Sequence, residues 1–197
     1  MKKIFLISTI LFLTFGAKTI ADTSNSIRQI YEGNEDAKVT IITYESLTCG
    51  HCADFHNNVY PKLKKEFIDT GLVKIEFRHF PLDMAALNAS KIAQCNNNGK
   101  SDLLHFLFSN QKKWVVDETT VEAANKNLKK LLKDESIIVD FEKCTNNKNI
   151  EDYVLNDRIE GVKKFKVNAT PTIIINNKKF DKPLNYKNLK KTLEKLI

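Results

Sequence analysis

The sequence has few of the features that would place it in several common classes of protein. Only one of its possible cysteine pairs, Cys49 and Cys52, is three positions apart, whereas a structural zinc site needs four ligands, typically from two such pairs. The basic residues give a formal net charge of +7, but they are scattered among acids and asparagines and are not clustered with aromatics. No internal repeat or low-complexity linker is present. These absences argue against a zinc domain, a nucleic-acid-binding protein and a repeat protein.

The apolar run at residues 4–15 is too short to span a bilayer, which takes about 20 residues. Lys2 and Lys3 precede it, and small residues lead from it to Ala21. This order is that of a secretory signal peptide, so we predict that residues 1–21 are removed on export. All four cysteines remain after cleavage, and in an exported protein an even number favours disulfides over free thiols.

The first part of the mature chain has the pattern of strand, helix and strand. Residues 38–46, KVTIITYES, have the composition of a buried strand, and a short edge strand is predicted at 27–31. Apolar residues spaced by four then predict a helix over 52–69, which Pro61 is expected to kink. Residues 72–80 alternate between apolar and charged side chains, as in a half-buried strand. Two strands joined in this way normally lie parallel and adjacent.

The pattern changes after Pro81, because residues 82–165 have only helical periodicity. The last helix of this stretch is predicted to bury Leu155, Ile159 and Val162. Strand character returns at 170–180, where Asn176-Asn177 can turn a hairpin, and a final amphipathic helix follows. Leu189, Leu193 and Leu196 form the apolar stripe of that helix. The outline is an α/β domain of residues 22–81 and 166–197, with a helical domain of residues 82–165 inserted into it.

Cys49 and Cys52 fall at the junction between the predicted strand and the predicted helix. Unpaired backbone N–H groups and the positive end of the helix dipole face a sulfur at this position, and both favour the thiolate of Cys49. Cys52 is one turn further into the helix and more shielded. We therefore predict a redox-active disulfide. Cys49 is the sulfur that attacks, and is attacked by, other molecules, and Cys52 is the resolving cysteine.

His51 is predicted to assist Cys49, because the helix dipole alone cannot account for a strongly acidic thiol. Lowering a thiol pKa from about 8.5 to about 3.5 requires roughly 7 kcal/mol, several times what a helix terminus supplies. The alternative for His51 is an exposed surface histidine. Glu45 could relay protons beneath the site or be an ordinary surface carboxylate. For His56, His79 and His105 we expect structural or surface positions.

The stretches YESLTCGHC (44–52), FRHFPL (77–82) and NATPT (168–172) carry a resemblance to a known family. With the order of the elements, the sequence resembles the DsbA-like thiol:disulfide oxidoreductases of the thioredoxin superfamily over essentially all of the mature chain. This resemblance implies a thioredoxin fold with an inserted all-helical domain. It also implies a cis Pro171 and a Thr170-Pro171 segment that faces the Cys49 sulfur and holds a substrate chain by its backbone groups.

Gly50 departs from the family pattern, which commonly has Pro at this position. Glycine is the looser residue in the first turn of a helix, and Gly-His is also the dipeptide of protein disulfide isomerases. The reaction class is unaffected by this departure. How strongly oxidising the pair is stays open.

Cys95 and Cys144 each extend an apolar helical face in the predicted insertion. They are either two buried, inert thiols or a second, structural disulfide that staples the insertion, which an oxidising compartment favours. Some alpha-proteobacterial DsbA-like proteins carry an extra pair of this kind, and the chain is similar to them. Neither cysteine has a Cys-x-x-Cys context, so the pair is not a second active site.

The resemblance implies a periplasmic enzyme that introduces disulfides into unfolded exported proteins by exchange at Cys49 and Cys52. It also implies reoxidation by a DsbB-like membrane quinone reductase, and no organic cofactor or metal is required. The alternative is a disulfide isomerase or reductase kept reduced by a membrane donor. Dimeric periplasmic isomerases carry an N-terminal dimerisation domain that has no counterpart before the first strand here, so we expect a monomer. A non-catalytic binding module built on the same fold is a further alternative.

Overall fold

The computed structural model describes residues 27–95, 97–115 and 120–197, and the predicted signal peptide lies outside these ranges. The described residues form a five-stranded sheet in the order β1-β3-β2-β4-β5. No helix in these ranges is long and apolar enough to cross a bilayer. The strands are β1 (Ile30–Glu32), β2 (Val39–Glu45), β3 (Val73–His79), β4 (Thr172–Ile175) and β5 (Lys178–Lys179).

The predicted parallel pair is confirmed, because β2 and β3 run parallel over their whole length, from Val39 opposite Val73 to Glu45 opposite His79. The other pairings are antiparallel, and β1 is an edge strand as expected. Burial alternates along β3, as its sequence predicts. The carboxyl end of β2 therefore lies in the middle of the sheet, where it leads directly to Cys49.

Residues 50–68 form one helical segment of mixed geometry. It comprises α1 (Gly50–Asp54), a π turn (Phe55–Val59), α2 (Tyr60–Leu63) and a second π turn (Lys64–Ile68). Pro61 lies just after the first π turn and has no N–H to donate to the preceding turn, so a regular α-helical ladder is interrupted there. The irregularity expected at Pro61 thus takes the form of a wider turn.

The chain between β3 and β4 is helical, and four of its described helices begin with side-chain caps. Asp83, Thr120, Asp140 and Asn147 each accept a hydrogen bond from a backbone N–H of the first turn that follows. The helices are α3 (Met84–Gln94), α4 (Asp102–Ser109), α5 (Gln111–Trp114), α6 (Val121–Asp134), α7 (Phe141–Thr145) and α8 (Lys148–Phe165), and α9 (Tyr186–Leu193) follows β5.

Cys95 and Cys144 are joined by a disulfide in the structure, with an S–S distance of 2.05 Å. Cys95 ends α3, and Cys144 lies in α7. Both side chains are buried. The bond therefore links two helices of the stretch between β3 and β4.

The buried face of α8 differs from the predicted one. Ile159 and Val162 are 46% and 45% exposed, whereas Asp157 and Gly161 are buried. An ion pair between Asp157 and Arg78 of β3 turns this face toward the sheet. Gly161 allows the Tyr44 ring to approach so closely that an added Cβ would lie 2.7 Å from it. In the last helix, Leu189 and Leu193 are buried as predicted, but Leu196 lies beyond the end of α9 and is 38% exposed.

Candidate active site

Cys49 is the N-cap residue of α1, at the point where the chain leaves the central strand β2. Its backbone is extended, with φ −79° and ψ 117°, and its carbonyl accepts hydrogen bonds from the N–H groups of Cys52 and Ala53. Both cysteines are free thiols in the structure, Cys49 partly exposed and Cys52 fully buried. An external reactant can therefore reach Cys49 but not Cys52.

The loop that presents Cys49 is held from the helical side of the molecule. The side-chain amide of Gln111 donates to the carbonyls of Leu47, at 2.8 Å, and Cys49, at 3.1 Å. Gln111 begins α5, and the same short helix ends with Trp114, which is fully buried and donates its indole N–H to the Leu107 carbonyl. The position of the thiol thus depends on the stretch between β3 and β4 as well as on the sheet.

Thr170 and Pro171 lie against the thiol from the loop before β4. The peptide bond between them is cis, and in its protonated form the Cys49 thiol donates to the Thr170 carbonyl, with 3.3 Å between Sγ and the oxygen. The structure thus brings Thr170 next to Cys49, a residue 121 positions earlier in the chain.

The two thiols have opposite acidities. The hydrogen bond from the Cys52 thiol, helped by Thr170 and by the backbone amides of Cys52 and His51, lowers the pKa of Cys49 to about 5 against the opposing effect of burial. Burial, together with the charge of Glu45 and the hydrogen bond to Cys49, raises the pKa of Cys52 far above its usual range. At neutral pH the reduced pair therefore consists of a partly accessible thiolate and a buried thiol.

The His51 side chain is exposed, and it is the backbone amide of this residue that lowers the pKa of Cys49. Two grooves meet at this residue. One runs toward the cis peptide and is lined by Phe55, Val59, Thr170, Pro171 and Leu184. The other runs toward α5, with Asn57, Asn58, Asn110, Lys112 and Lys113 in its lining.

Glu45 is buried beneath the pair and is not a surface carboxylate. It is 4% exposed, and its Oε2 lies 2.8 Å from Nε2 of His56, which is equally buried. His56 in turn contacts His105 of α4, with 2.8 Å between their Nδ1 atoms. The expectation for His56 and His105 assigned them no partners. The available signal was the spacing, because His56 is four positions after Cys52 and so shares its helix face.

Among the described residues, no group of three or more His, Cys, Asp and Glu side chains is arranged to hold a metal ion.

Comparison with known proteins gives the family. A family model described as "Thioredoxin" matches residues 25–195. Since the match covers most of the chain, the protein belongs to this thioredoxin family. The predicted thioredoxin fold with a helical insertion is confirmed, because the solved structures that it resembles include those of DsbA proteins.

The chain is similar to alpha-DsbA1 of Wolbachia pipientis, whose crystal structure it matches with a TM-score of 0.74 and 30% identity, covering 86% of this chain and 90% of that one. It is also 29% identical to disulfide bond formation protein D of Bacillus subtilis in an alignment of 173 residues that covers 83% of this chain and 74% of that protein. A Rickettsia bellii protein named for protein-disulfide oxidoreductase activity is 36% identical over 86 residues, 43% of this chain. That match spans only 33% of the Rickettsia protein.

Proposed function

We propose that the protein is a thiol:disulfide oxidoreductase that donates the Cys49–Cys52 disulfide to unfolded exported proteins in the periplasm. The observation that carries the proposal is the difference between the two sulfurs. Cys49 is reachable and its pKa is lowered to about 5, whereas Cys52 is fully buried and its pKa is raised. A low pKa of the accessible thiol stabilises the reduced pair, which makes the disulfide the stronger oxidant.

The exchange proceeds in two attacks. A substrate thiolate attacks Sγ of Cys49, the bond to Cys52 breaks, and Cys52 leaves as a thiolate that takes up one proton. A second thiolate of the substrate then attacks the substrate sulfur of the mixed disulfide. Cys49 leaves as a thiolate, the substrate keeps the new disulfide, and the pair is left reduced by two electrons.

Thr170 and Pro171 serve as the substrate-binding segment in this proposal. Their position against Cys49 supports it, as does the groove that extends from them along Phe55 and Val59. An extended substrate segment would pair with the backbone there while its cysteine reacts. His51, exposed between the two grooves, would meet the substrate on the other side of the reacting sulfur.

The remaining parts of the proposal concern location and partners. The signal-peptide pattern of residues 1–21 supports export to the periplasm. A DsbB-like membrane quinone reductase would reoxidise the pair, and the protein would act as a monomer. The division into a thioredoxin-fold domain, residues 22–81 and 166–197, and an inserted domain, residues 82–165, is supported by the helical content of the stretch between β3 and β4.

A disulfide isomerase or reductase kept reduced by a membrane donor is the second candidate. The Gly50-His51 dipeptide favours it, since this dipeptide is shared with protein disulfide isomerases. The in-vivo redox state separates the two candidates, because an oxidase is kept mainly oxidised and an isomerase mainly reduced. Trapping the thiols of growing cells with an alkylating reagent measures that state directly.

The enzymatic proposal itself is tested with an unfolded peptide that contains two thiols. The oxidised protein should convert it stoichiometrically to the disulfide form, with Cys49 and Cys52 becoming reduced. The Cys52→Ser variant, first activated at Cys49 by a small disulfide, should accumulate the mixed disulfide with a form of the peptide that keeps only one thiol, because no second thiol is then present to resolve it. Cys49→Ser should be inert. Absence of exchange at Cys49 in the unmodified protein would contradict the proposal and leave a binding module as the remaining interpretation.

A further inference from the structure

A continuous line of hydrogen bonds leads from beneath Cys52 to the far side of the active-site helix. Glu45 of β2 contacts His56 in the first π turn, and His56 contacts His105 of α4, each at 2.8 Å. The second ring nitrogen of His105, Nε2, lies 2.7 Å from Oε1 of Glu32 in β1. Each ring nitrogen of His56 and His105 therefore takes part in one of these hydrogen bonds, and the two imidazoles connect the Glu45 and Glu32 carboxylates.

We propose that His56 and His105 form a proton relay that connects Glu45 beneath Cys52 with solvent at Glu32. The proposal rests on the proposed function, because it concerns the proton that Cys52 loses and gains during thiol exchange. It assigns His56 and His105 as positioning residues that act on Cys52 through Glu45.

Cys52 needs such a route because its surroundings exclude water. It is fully buried, so its thiol cannot exchange a proton with solvent directly. Glu45 is close enough for its charge to act on Cys52, and its Oε1 is buried without a hydrogen-bond partner among the described residues. In the proposed relay, that oxygen accepts the Cys52 proton. Glu45 is itself 4% exposed, however, so it too depends on a further group to pass the proton on.

The two imidazoles can carry one proton in either direction without rotating. In one arrangement Glu45 is ionised, His56 donates from Nε2 to Glu45, and a cationic His105 donates from Nδ1 to His56 and from Nε2 to Glu32. If the Nε2 proton of His56 moves to Glu45 and the Nδ1 proton of His105 moves to His56, Glu45 becomes neutral and so does His105. The net result is one proton delivered to Glu45 from His105, with no atom displaced beyond the hydrogens.

The outer end of the line is open to solvent. The side chains of His105 and Glu32 are 21% and 13% exposed. They line an open groove together with Tyr31, Gly99, Ser101 and Asp102. Although burial opposes it, hydrogen bonds from His105, Lys64, Ser101 and Tyr60 hold the pKa of Glu32 well below its usual range. Glu32 therefore stays ionised and holds His105 in position while His105 exchanges protons with water.

The aromatic surroundings fix the ring planes. Phe108 stacks on His56 with 4.0 Å between ring centroids, and Tyr60 stacks on His105 at 4.3 Å. The Ser101 hydroxyl donates to Glu32 at the outer end of the line. The titratable and charged groups near the line, taken from each element around it, are Cys52, Tyr60, Lys64, Asp69, His79 and Asp102.

The relay acts when the disulfide closes. A small disulfide such as oxidised glutathione is attacked by the Cys49 thiolate, one glutathione thiolate leaves, and a Cys49–glutathione mixed disulfide forms. The Cys52 thiol then gives its proton to Glu45 and attacks Sγ of Cys49, and the second glutathione leaves as a thiolate. The two-electron oxidation of the pair is balanced by reduction of oxidised glutathione. The proton leaves by the reverse of the transfer described above: neutral Glu45 gives a proton to Nε2 of His56, the Nδ1 proton of His56 moves to His105, and the cationic His105 releases a proton to water.

The test follows these two steps separately in the full mature protein. Reduced protein is mixed with oxidised glutathione, quenched with acid at set times, and analysed by mass spectrometry for the adduct and the closed disulfide. In His105→Ala, adduct formation should proceed at the rate of the unmodified protein, whereas closure of the disulfide should slow at least about tenfold at pH 7. This factor is below the roughly 100-fold or greater rate contribution of a well-positioned acid or base. His105→Gln, which keeps the size and a hydrogen-bonding group, should be slowed similarly.

Added imidazole should restore closure in His105→Ala, because the vacated position adjoins the open groove. 1-Methylimidazole is the matched control, since it has only one nitrogen free to exchange protons and should not restore closure. Leu103→Ala in the same helix controls for loosened packing and should close at the unmodified rate.

Closure at the unmodified rate in both His105 variants would overturn the relay, as would equal rescue by the two imidazoles. If the unmodified protein forms no adduct at Cys49, the proposed function fails instead, and the two failures are thereby distinguished.

Discussion

Single side chains at the start of α1 set the chemistry of the cysteine pair. Cys49 occupies the N-cap, where backbone amides and the Cys52 thiol point at its sulfur, and its pKa is lowered to about 5. Three positions later, Cys52 lies on the buried side of the helix. The asymmetry is therefore built from helix geometry and from one hydrogen bond between the two thiols.

Alkylation of the reduced protein should follow the Cys49 thiolate. We expect the rate with iodoacetamide to rise with a midpoint near pH 5, in contrast to about 8.5 for a free thiol, and Cys52 to remain unlabelled in the native protein. Because the pKa in the folded protein is the lower one, the thiolate stabilises the reduced fold fully above about pH 8.5, and this is lost as the pH falls through 5.

The control for this profile is the hydrogen bond from Cys52. Cys52→Ala removes it and should move the midpoint upward, whereas Cys52→Ser retains a donor and should move it less. A midpoint above pH 7 in the unmodified protein would contradict the assignment of Cys49 as a stabilised thiolate.

At the scale of elements, α8 shows how a helix face is chosen by its neighbours. Its sequence has an apolar stripe at Leu155, Ile159 and Val162, yet the face toward the sheet carries Asp157 and Gly161. Gly161 is required there because the Tyr44 ring, which is 1% exposed, occupies the space of a side chain. The contact is between backbone and aromatic ring.

Two glycine substitutions should have opposite effects on stability. Gly161→Ala places a Cβ 2.7 Å from the Tyr44 ring and should lower the free energy of unfolding by about 1–3 kcal/mol. Gly50→Ala is the matched change, because nothing lies within 4 Å of its added Cβ. It should raise the free energy of unfolding by roughly 0.5–1 kcal/mol. Urea unfolding of both variants measures the difference. Equal changes in the free energy of unfolding would show that the close approach of Tyr44 does not require a glycine at position 161.

At the scale of the whole molecule, the sheet and the helices of the stretch between β3 and β4 are tied by buried polar contacts. Asp157 of α8 accepts from Arg78 and from the backbone N–H of His79, each at 3.0 Å. Gln111 of α5 makes the equivalent connection to the Cys49 loop. Residues of both parts therefore hold the loop that presents Cys49.

Asp157→Ala should destabilise the assembled protein by about 3 kcal/mol, because it leaves a half-buried guanidinium and a buried N–H without their partner. Glu160→Ala is the control on the same helix. Glu160 also faces Arg78, but at 3.9 Å and with its side chain 47% exposed, so its removal should change stability by less than about 0.5 kcal/mol. Chemical denaturation of the two variants compares them, and similar losses would argue against the buried pair as the main connection.

The extent to which the sequence predicts this molecule depends on the range of the interaction concerned. The strands, the helix after Cys49 and the position of the cysteine pair follow from patterns within about ten residues. The face of α8 does not, because Tyr44 and Arg78 lie about 80 to 120 positions away and select it only in the folded state. The same holds for His105 and Glu32, which are 73 positions apart and meet only through the fold.

Trp114 gives the protein an optical property that follows directly from its position. It is the only tryptophan in the sequence, and it is fully buried. It also shares the single turn of α5 with Gln111, whose amide holds the Cys49 loop. We expect any shift of that loop on closure of the disulfide to change the surroundings of the indole, because one turn of helix joins the two. The emission of one intrinsic fluorophore can therefore report the oxidation state of the pair in real time, without a label.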